Sequence, residues 1–385
     1  MKILIVTDYR TGGAGHVAQI TGDILISRGF EVEYLFGTDF FKFSLMRYLF
    51  NFRGYNIVNG KLFSFKPDVV MLHNFDNIWS PLILKAVEKF KLVNDKAKVV
   101  MTLHDYHIIS ATNSLTYYNN ENQLHYFDRV PSFIELIKNR IDRRGRLHGF
   151  VRIFQWYFYY GLLKLNSTID SFICPSKFMM NKCIQRYSEK KVKVIYNPTT
   201  FINSNRVKFV GDSLQIIFAG RISQEKGIFE FFDLLIKSKL KINRKLHFDI
   251  IGDGDLFTEL KNIAGKAQFS LSIHGRKSHE FVENKLTNAN FVLLPSTVFE
   301  NAPLSLIEGV FKGCNIITMN YGGMKEISEQ LSSSILLDNL TQNSIDKMLK
   351  YLDSFDDSKS NENQREALLK KYTSSEYCRL IEDEF

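Results

Sequence analysis

Residues 291–309 read Phe291-Val292-Leu293-Leu294-Pro295-Ser296-Thr297-Val298-Phe299-Glu300-Asn301-Ala302-Pro303-Leu304-Ser305-Leu306-Ile307-Glu308-Gly309. The apolar run that Pro295-Ser296 ends reads as a buried strand stopping at a site-facing loop. Pro303 is expected at the first position of a helix. Glu300 then sits in the loop, and Glu308 lies about one and a half turns into the helix. Between them the amides of Ala302, Leu304 and Ser305 lack intrahelical acceptors, so the helix start attracts anions. Flanked by carboxylates that can grip hydroxyls, it suits a phosphorylated sugar. The alternative is a capped helix with one exposed Glu.

Working outward, Gln215-Ile216-Ile217-Phe218-Ala219-Gly220-Arg221-Ile222-Ser223-Gln224-Glu225-Lys226-Gly227 reads as strand, turn, then a helix from about Ile228. Arg221 and Lys226 fall at the carboxyl end of that strand, where open α/β sheets bind ligands. The two cations suit a diphosphate, Arg as a fork and Lys as a point charge; a solvated basic loop is the other reading. Phe248-Asp249-Ile250-Ile251-Gly252-Asp253-Gly254-Asp255 repeats the strand and Gly-rich turn.

Together these residues resemble the retaining glycosyltransferases of family 4, of bacterial surface-polysaccharide (capsule or O-antigen) type. The matching elements are Gly220-Arg221 with Glu225-Lys226-Gly227, the Ile251-Gly252-Asp253-Gly254 turn, His274-Gly275-Arg276, the Glu300/Glu308 pair, and Tyr321-Gly322-Gly323-Met324-Lys325-Glu326. The likeness is dense over residues 214–330. It implies the GT-B fold, an α/β architecture of two Rossmann-like doubly wound parallel-sheet domains facing a cleft. It also implies a nucleotide-sugar donor, UDP- or GDP-linked, held by the C-terminal domain, with no other cofactor. The donor-binding residues it implies are Gly12, Gly13, Gly220, Gly252, Arg276, Asn301, Ala302, Pro303, Leu304 and Glu308. The catalytic residues are His104, Arg221, Lys226 and Glu300.

A chain of 385 residues, 45% hydrophobic and 24% charged, is expected to fold as two domains with separate cores. Cys174, Cys183, Cys314 and Cys378 show no metal-ligand spacing and read as reduced thiols of a cytosolic chain. Residues 1–8 read as a strand and not a leader, because Asp8 and Arg10 interrupt the apolar run. No stretch reaches the roughly 18 apolar residues of a membrane span. Strands are expected at 2–7, 31–36, 69–73, 99–104, 171–175 and 192–196, and a second strand–helix alternation at 214–337. The expected domains are 1–197, then 209–340 after a polar connection ending near Lys208, with a helical tail at 341–385 crossing back to the first domain. A polar loop is expected at 356–363.

In the first half, Thr11-Gly12-Gly13-Ala14-Gly15-His16 is a Gly-rich turn that can bring amides against a phosphate or an acceptor; tight packing is the rival reading. The glycine spacing and the lack of an acidic residue ending the second strand weaken a dinucleotide site. Thr102-Leu103-His104-Asp105-Tyr106-His107 ends a further strand. The resemblance has His104 meeting the transferred sugar, with Asp105 orienting its ring or capping the next segment. The spacing of His104 and His107 also admits a metal, but no third ligand is evident.

Residues 127–165 mix Lys138, Arg140, Arg143, Arg144, Arg146, Arg152 and Lys164 with Phe133, Phe150, Phe154, Trp156, Tyr157, Phe158, Tyr159 and Tyr160. With a net charge of +9, this composition suits an anionic membrane surface, a buried aromatic helix with a basic flank, or a nucleic-acid patch. No nucleic-acid fold supports the last. The reading is a metal-independent transferase, peripheral on the inner face of the cytoplasmic membrane, with a glycan or polyprenyl-linked acceptor. A sugar-nucleotide epimerase or hydrolase, or a non-catalytic glycan- or membrane-binding scaffold, are the alternatives.

Overall fold

Short apolar runs alternating with helices bury both faces of a parallel sheet, and this chain builds two such sheets. The structure, a computed structural model, describes residues 1–201, 212–265, 269–356 and 362–385. Lys208 and most of the polar loop at 356–363 lie outside the described residues. The chain divides into two units, Met1–Thr199 with Tyr372–Phe385, and Thr200–Lys371.

The first unit holds β1 (Lys2–Thr7), β2 (Glu31–Phe36), β3 (Val69–Leu72), β4 (Lys98–Thr102), the hairpin strands β5 (Thr116–Tyr118) and β6 (Leu124–Tyr126), then β7 (Ser171–Cys174) and β8 (Val192–Val194). The sheet order is β2-β1-β3-β4-β7-β8, all parallel. The chain reverses its direction of travel between β1 and β3, which is where open sheets of this kind leave a crevice. The antiparallel β5–β6 hairpin stands apart, and its two three-residue strands carry too little apolar alternation to be read from sequence.

The second unit holds β9 (Ser213–Ala219), β10 (Lys245–Ile251), β11 (Ser270–Gly275), β12 (Phe291–Leu294), β13 (Asn315–Met319) and β14 (Ile335–Leu337). Their order is β11-β10-β9-β12-β13-β14, again parallel, with the reversal between β9 and β12. The inner strand residues Ile216, Phe248, Phe291, Val292 and Ile316 are wholly buried.

The expected tail at 341–385 needs correction. The helix Gln342–Asp353 buries Ile345, Met348, Leu349 and Leu352 against β14 and the helix Ile228–Lys237, and the helix Glu362–Leu369 packs on the helix Leu304–Phe311. Only Tyr372–Phe385 belongs to the first unit. There Tyr377 and Ile381 join the core of Ile3, Ile5 and Leu25, Thr21 donates to the Tyr377 hydroxyl at 3.1 Å, and Arg28 pairs with Glu382 at 3.1 Å. The apolar stripe of each helix decides which unit holds it.

Of the readings given for residues 127–165, the structure shows the buried aromatic helix. The helix Arg146–Trp156 and the turn after it bury Ile153, Trp156, Tyr159 and Tyr160. The Trp156 indole donates to the His107 carbonyl at 2.7 Å, and Gln155 to the Tyr48 carbonyl at 2.6 Å. The opposite face exposes Leu147, Phe150 and Phe154. Among the described residues no helix is long and apolar enough to cross a membrane.

Candidate active site

At the second sheet's reversal the turn after β9 meets the loop after β12. Lys226 Nζ lies 2.6 Å from Glu300 Oε1, and Ser296 Oγ donates to the same oxygen at 2.7 Å. Burial works to raise the Glu300 pKa, but the Lys226 ammonium and the Ser296 hydroxyl outweigh it and hold the carboxyl below its ordinary value. Among the described residues no hydrogen bond engages Glu300 Oε2. Arg221 also acts electrostatically on Glu300, although its exposed guanidinium is bonded to Glu225 at 2.9 Å.

Backbone contacts fix this frame. Thr297 N donates to the Glu225 carbonyl at 2.8 Å, tying loop to turn. The Tyr321 hydroxyl donates to the Ser296 carbonyl at 2.7 Å, and Gly323 N to the Glu300 carbonyl at 2.7 Å. A Cβ on Gly323 would stand 1.6 Å from the Asn301 carbonyl oxygen, so only glycine allows this approach. Gly252 plays the same part for Gly220: its φ is +151°, a Cβ there would meet the Gly220 oxygen at 1.8 Å, and Gly220 N donates to the Ile251 carbonyl at 3.0 Å.

The helix after the loop runs Leu304–Phe311. Pro303 is its N-cap and not its first residue: ψ is 110°, outside the helical well, while its carbonyl accepts from Leu306 N at 3.1 Å. The Leu304 and Ser305 amides lie in the first turn, where intrahelical acceptors are missing. Asn301 and Pro303 are buried, while Ala302 and Leu304 are half-buried. Glu308, one turn in, is buried, and burial together with the charge of Glu283 lifts its pKa to about 7. A ring nitrogen of His279 lies within 4.8 Å of its carboxylate, a neighbour that sequence spacing does not reveal. Arg276 is exposed just beyond β11.

In the first unit Gly12 caps the helix Gly13–Ser27 with φ of +87°, and open space surrounds the place of a Cβ at both Gly12 and Gly13. Below this turn the buried Asp8 carboxylate accepts amides from Asn77, Ile78 and Trp79 at 2.8, 2.9 and 2.9 Å. Burial lifts its pKa to about 8 while those amides pull the other way. At the ends of β3 and β4, His73 Nδ1 and His104 Nε2 are 2.7 Å apart. Burial lowers the pKa of both rings, that of His104 to about 4, so both are neutral at pH 7. Asp105 does not orient the His104 ring. It accepts from His107 N at 2.9 Å and Asn74 Nδ2 at 3.1 Å, capping the following segment. His107 turns toward Asp76, 3.4 Å away, so His104 and His107 do not converge as ligands. Tyr160 donates to Asp76 at 2.9 Å. Burial raises Asp76 to about 7 and Asp105 to about 6.

Sequence reading missed Asp8, His73 and Asp76. Each follows or closes a strand beside the sheet reversal, and that position was the available signal.

Residues 201–370 match the family model described as glycosyl transferases group 1. The chain is 35% identical over 125 residues to the 2-deoxystreptamine N-acetyl-D-glucosaminyltransferase of Niallia circulans, an alignment spanning 32% of each chain, so about a third of that relative's length is matched. A 42.6 kDa protein of the cps region of Klebsiella pneumoniae is 23% identical over 293 residues, 76% of this chain and 68% of that one. Among solved structures, Anabaena HepE in complex with UDP and glucose superimposes with a TM-score of 0.65 at 14% identity, covering 100% of this chain and 98% of that one. The likeness is one of fold, the GT-B fold that the motifs imply.

Proposed function

From residues 201–370, which belong to the group 1 glycosyltransferases, we propose that the chain is a retaining glycosyltransferase moving a sugar from a UDP- or GDP-linked donor to a glycan or lipid-linked acceptor. The observation that carries this is the Lys226–Glu300–Ser296 contact at the β9/β12 reversal. A carboxylate kept ionised beside a cation can do two things at once. Glu300 accepts hydrogen bonds from sugar hydroxyls, and Lys226, with Arg221, stabilises the negative charge that develops on the departing diphosphate. The first-turn amides of the helix Leu304–Phe311 add their dipole. Glu308 accepts from the ribose hydroxyls.

Retention proceeds by attack on the face the leaving group vacates, the phosphate oxygen taking the acceptor proton. Among the described residues no carboxylate of the second unit stands out as a nucleophile, and Glu300, paired through Oε1 with Lys226 and Ser296, is given to the sugar hydroxyls. The cations, not a bridging metal, meet the diphosphate. The relatives favour this reading: HepE was solved with UDP and glucose, and the Klebsiella relative comes from a cps region, in keeping with surface-polysaccharide synthesis.

The acceptor reading extends to an anionic membrane at the cytoplasmic face. Exposed Leu147, Phe150 and Phe154 lie among Arg143, Arg144 and Arg146. Phe154 also contacts Phe50, which contacts Phe52, itself 66% exposed. Apolar side chains ringed by cations suit a headgroup boundary.

Thermal stability in the presence of UDP-, GDP- and ADP-sugars tests the donor. A binder at a hundred times its Kd adds about 2.7 kcal/mol, and the stabilising donor should then label an acceptor with the anomeric configuration kept. Absence of stabilisation by every nucleotide sugar at millimolar concentration would sink the assignment.

A further inference from the structure

The His73–His104 pair has a geometry that single-residue reading cannot supply. The ring planes differ by only 15° while the centroids stand 5.0 Å apart. With an N···N distance of 2.7 Å, that separation is the contact plus one ring radius on each side. The imidazoles therefore lie edge to edge in one plane, joined by an in-line N–H···N hydrogen bond, and are not stacked face to face.

One proton sits in this bond, and its owner is decided at the far nitrogen of His73. His73 is wholly buried, and among the described residues its Nε2 has no hydrogen-bond partner. A buried N–H without an acceptor is rarer in folded proteins than an under-satisfied acceptor. Nε2 of His73 therefore carries the lone pair, the proton sits on His73 Nδ1, and His104 Nε2 accepts it. His104 is neutral, so its own proton is left on Nδ1, the nitrogen that makes no hydrogen bond among the described residues. The bond on one nitrogen sets the state of the other.

We propose that His73 is a positioning residue that locks His104 in the Nδ1–H tautomer, so that His104 meets its substrate as a hydrogen-bond donor and never as a base. The oxygen it faces must accept, as a sugar hydroxyl or phosphoryl oxygen does. A free histidine in water prefers the Nε2–H form, so the lock has a spectroscopic signature. The role of His104 toward the sugar rests on the proposed function; the tautomer lock does not.

The experiment is a long-range proton–nitrogen correlation spectrum of the full chain labelled in histidine, at pH 7, with the two rings assigned by single variants. In the wild type both His73 and His104 should show the Nδ1–H pattern. In His73→Phe, which keeps a buried ring without the donor, nothing fixes the His104 proton, and His104 should lose the pure Nδ1–H pattern and show the two tautomers mixed. Transfer should fall about tenfold, the worth of one misdirected hydrogen bond, with KM for the donor nearly unchanged. His73→Asn, whose amide N–H can reach the place of Nδ1, should keep the Nδ1–H pattern and restore part of the transfer, and His73→Leu, which also removes the donor, serves if His73→Phe does not fold. An Nε2–H pattern for His104 in the wild type, or an unchanged His104 pattern in the variant that removes the donor, overturns the lock. If the spectra behave as expected while His104→Ala transfers sugar normally, the lock holds and the sugar-contact role of His104 falls.

Discussion

The two sheet reversals put opposite chemistry at equivalent places. In the second unit an ammonium and a carboxylate meet at 2.6 Å, and the carboxyl is held charged. In the first, burial dominates: His73 and His104 are neutral, Asp76 is raised to about 7, and Asp105 to about 6. The same α/β topology thus supports a charged crevice suited to a diphosphate, and a nearly neutral one suited to hydroxyls. What differs is how closely a cation approaches the buried acid, since Arg152 acts on Asp76 only through space and as the weakest of its influences. Lys226 reaches Glu300 from the neighbouring turn, whereas Asp76 has a tyrosine hydroxyl and a neutral histidine beside it.

The largest effect should come from removing the cation. We predict that Lys226→Ala lowers transfer about a hundredfold or more with an unchanged circular dichroism spectrum. Arg221→Ala, more exposed, should lose less, though at least roughly tenfold. Near-normal turnover in both would erase the contrast between the crevices.

Next in size is a pH dependence whose sign differs between the units. Asp76 has a folded pKa raised from 3.8 to about 7, so the native state keeps a proton that the unfolded chain releases earlier. Its contribution to stability is full below about pH 4 and fades as pH rises to about 7, on the order of 3–4 kcal/mol. Glu300, with a lowered pKa, contributes above its unfolded value and loses that contribution as pH falls. Denaturant titrations of wild type and Asp76→Asn between pH 4 and pH 8 should diverge with rising pH, the variant losing less. Parallel curves would show that Asp76 ionises in the native state as it does when unfolded.

A backbone test follows. Gly323→Ala places a methyl against the Asn301 carbonyl and should cost about 2–4 kcal/mol, while Gly13→Ala, with open space around it, should leave the melting temperature nearly unchanged. Equal effects would mean that the Glu300 loop is not braced by this contact.

Smaller still is the membrane term, about 1 kcal/mol for each basic residue near the surface. Sedimentation with phosphatidylglycerol vesicles should exceed that with neutral vesicles and decline with salt. Joint replacement of Arg140, Arg143, Arg144 and Arg146 by Glu should remove the difference. Indifference of the wild type to anionic vesicles at low salt would leave Phe150 and Phe154 without this role. The smallest expected effect is none at all: excess EDTA should not reduce transfer, and complete loss restored by Mn²⁺ would replace the Arg221/Lys226 account with a bridging metal.

Much of the architecture was legible in the chain because burial leaves a periodic trace. The runs at 2–7 and 291–294 read as strands and are buried along nearly their whole length, 31–36 reads as a strand and lies half-exposed at the sheet edge, and Glu300 fell in a loop because Pro303 opens a helix within a few residues. The same local logic located Arg221 and Lys226 at a strand's carboxyl end. It erred by one position at Pro303, since a proline φ suits both the cap and the first helical residue, and only ψ separates them. The destination of the last helices was not local either. The Gln342–Asp353 and Ser374–Glu382 helices are both amphipathic, and which sheet each covers depended on the apolar surface left open beside it. Least legible were the partners: Lys226 with Glu300, seventy-four residues apart, and His73 with His104, thirty-one apart. Residue type and strand position tell which groups stand at the mouth of a sheet. Whether a given acid there is charged or neutral is decided by what the fold brings within hydrogen-bond reach, because in a buried site one neighbour outweighs the intrinsic pKa.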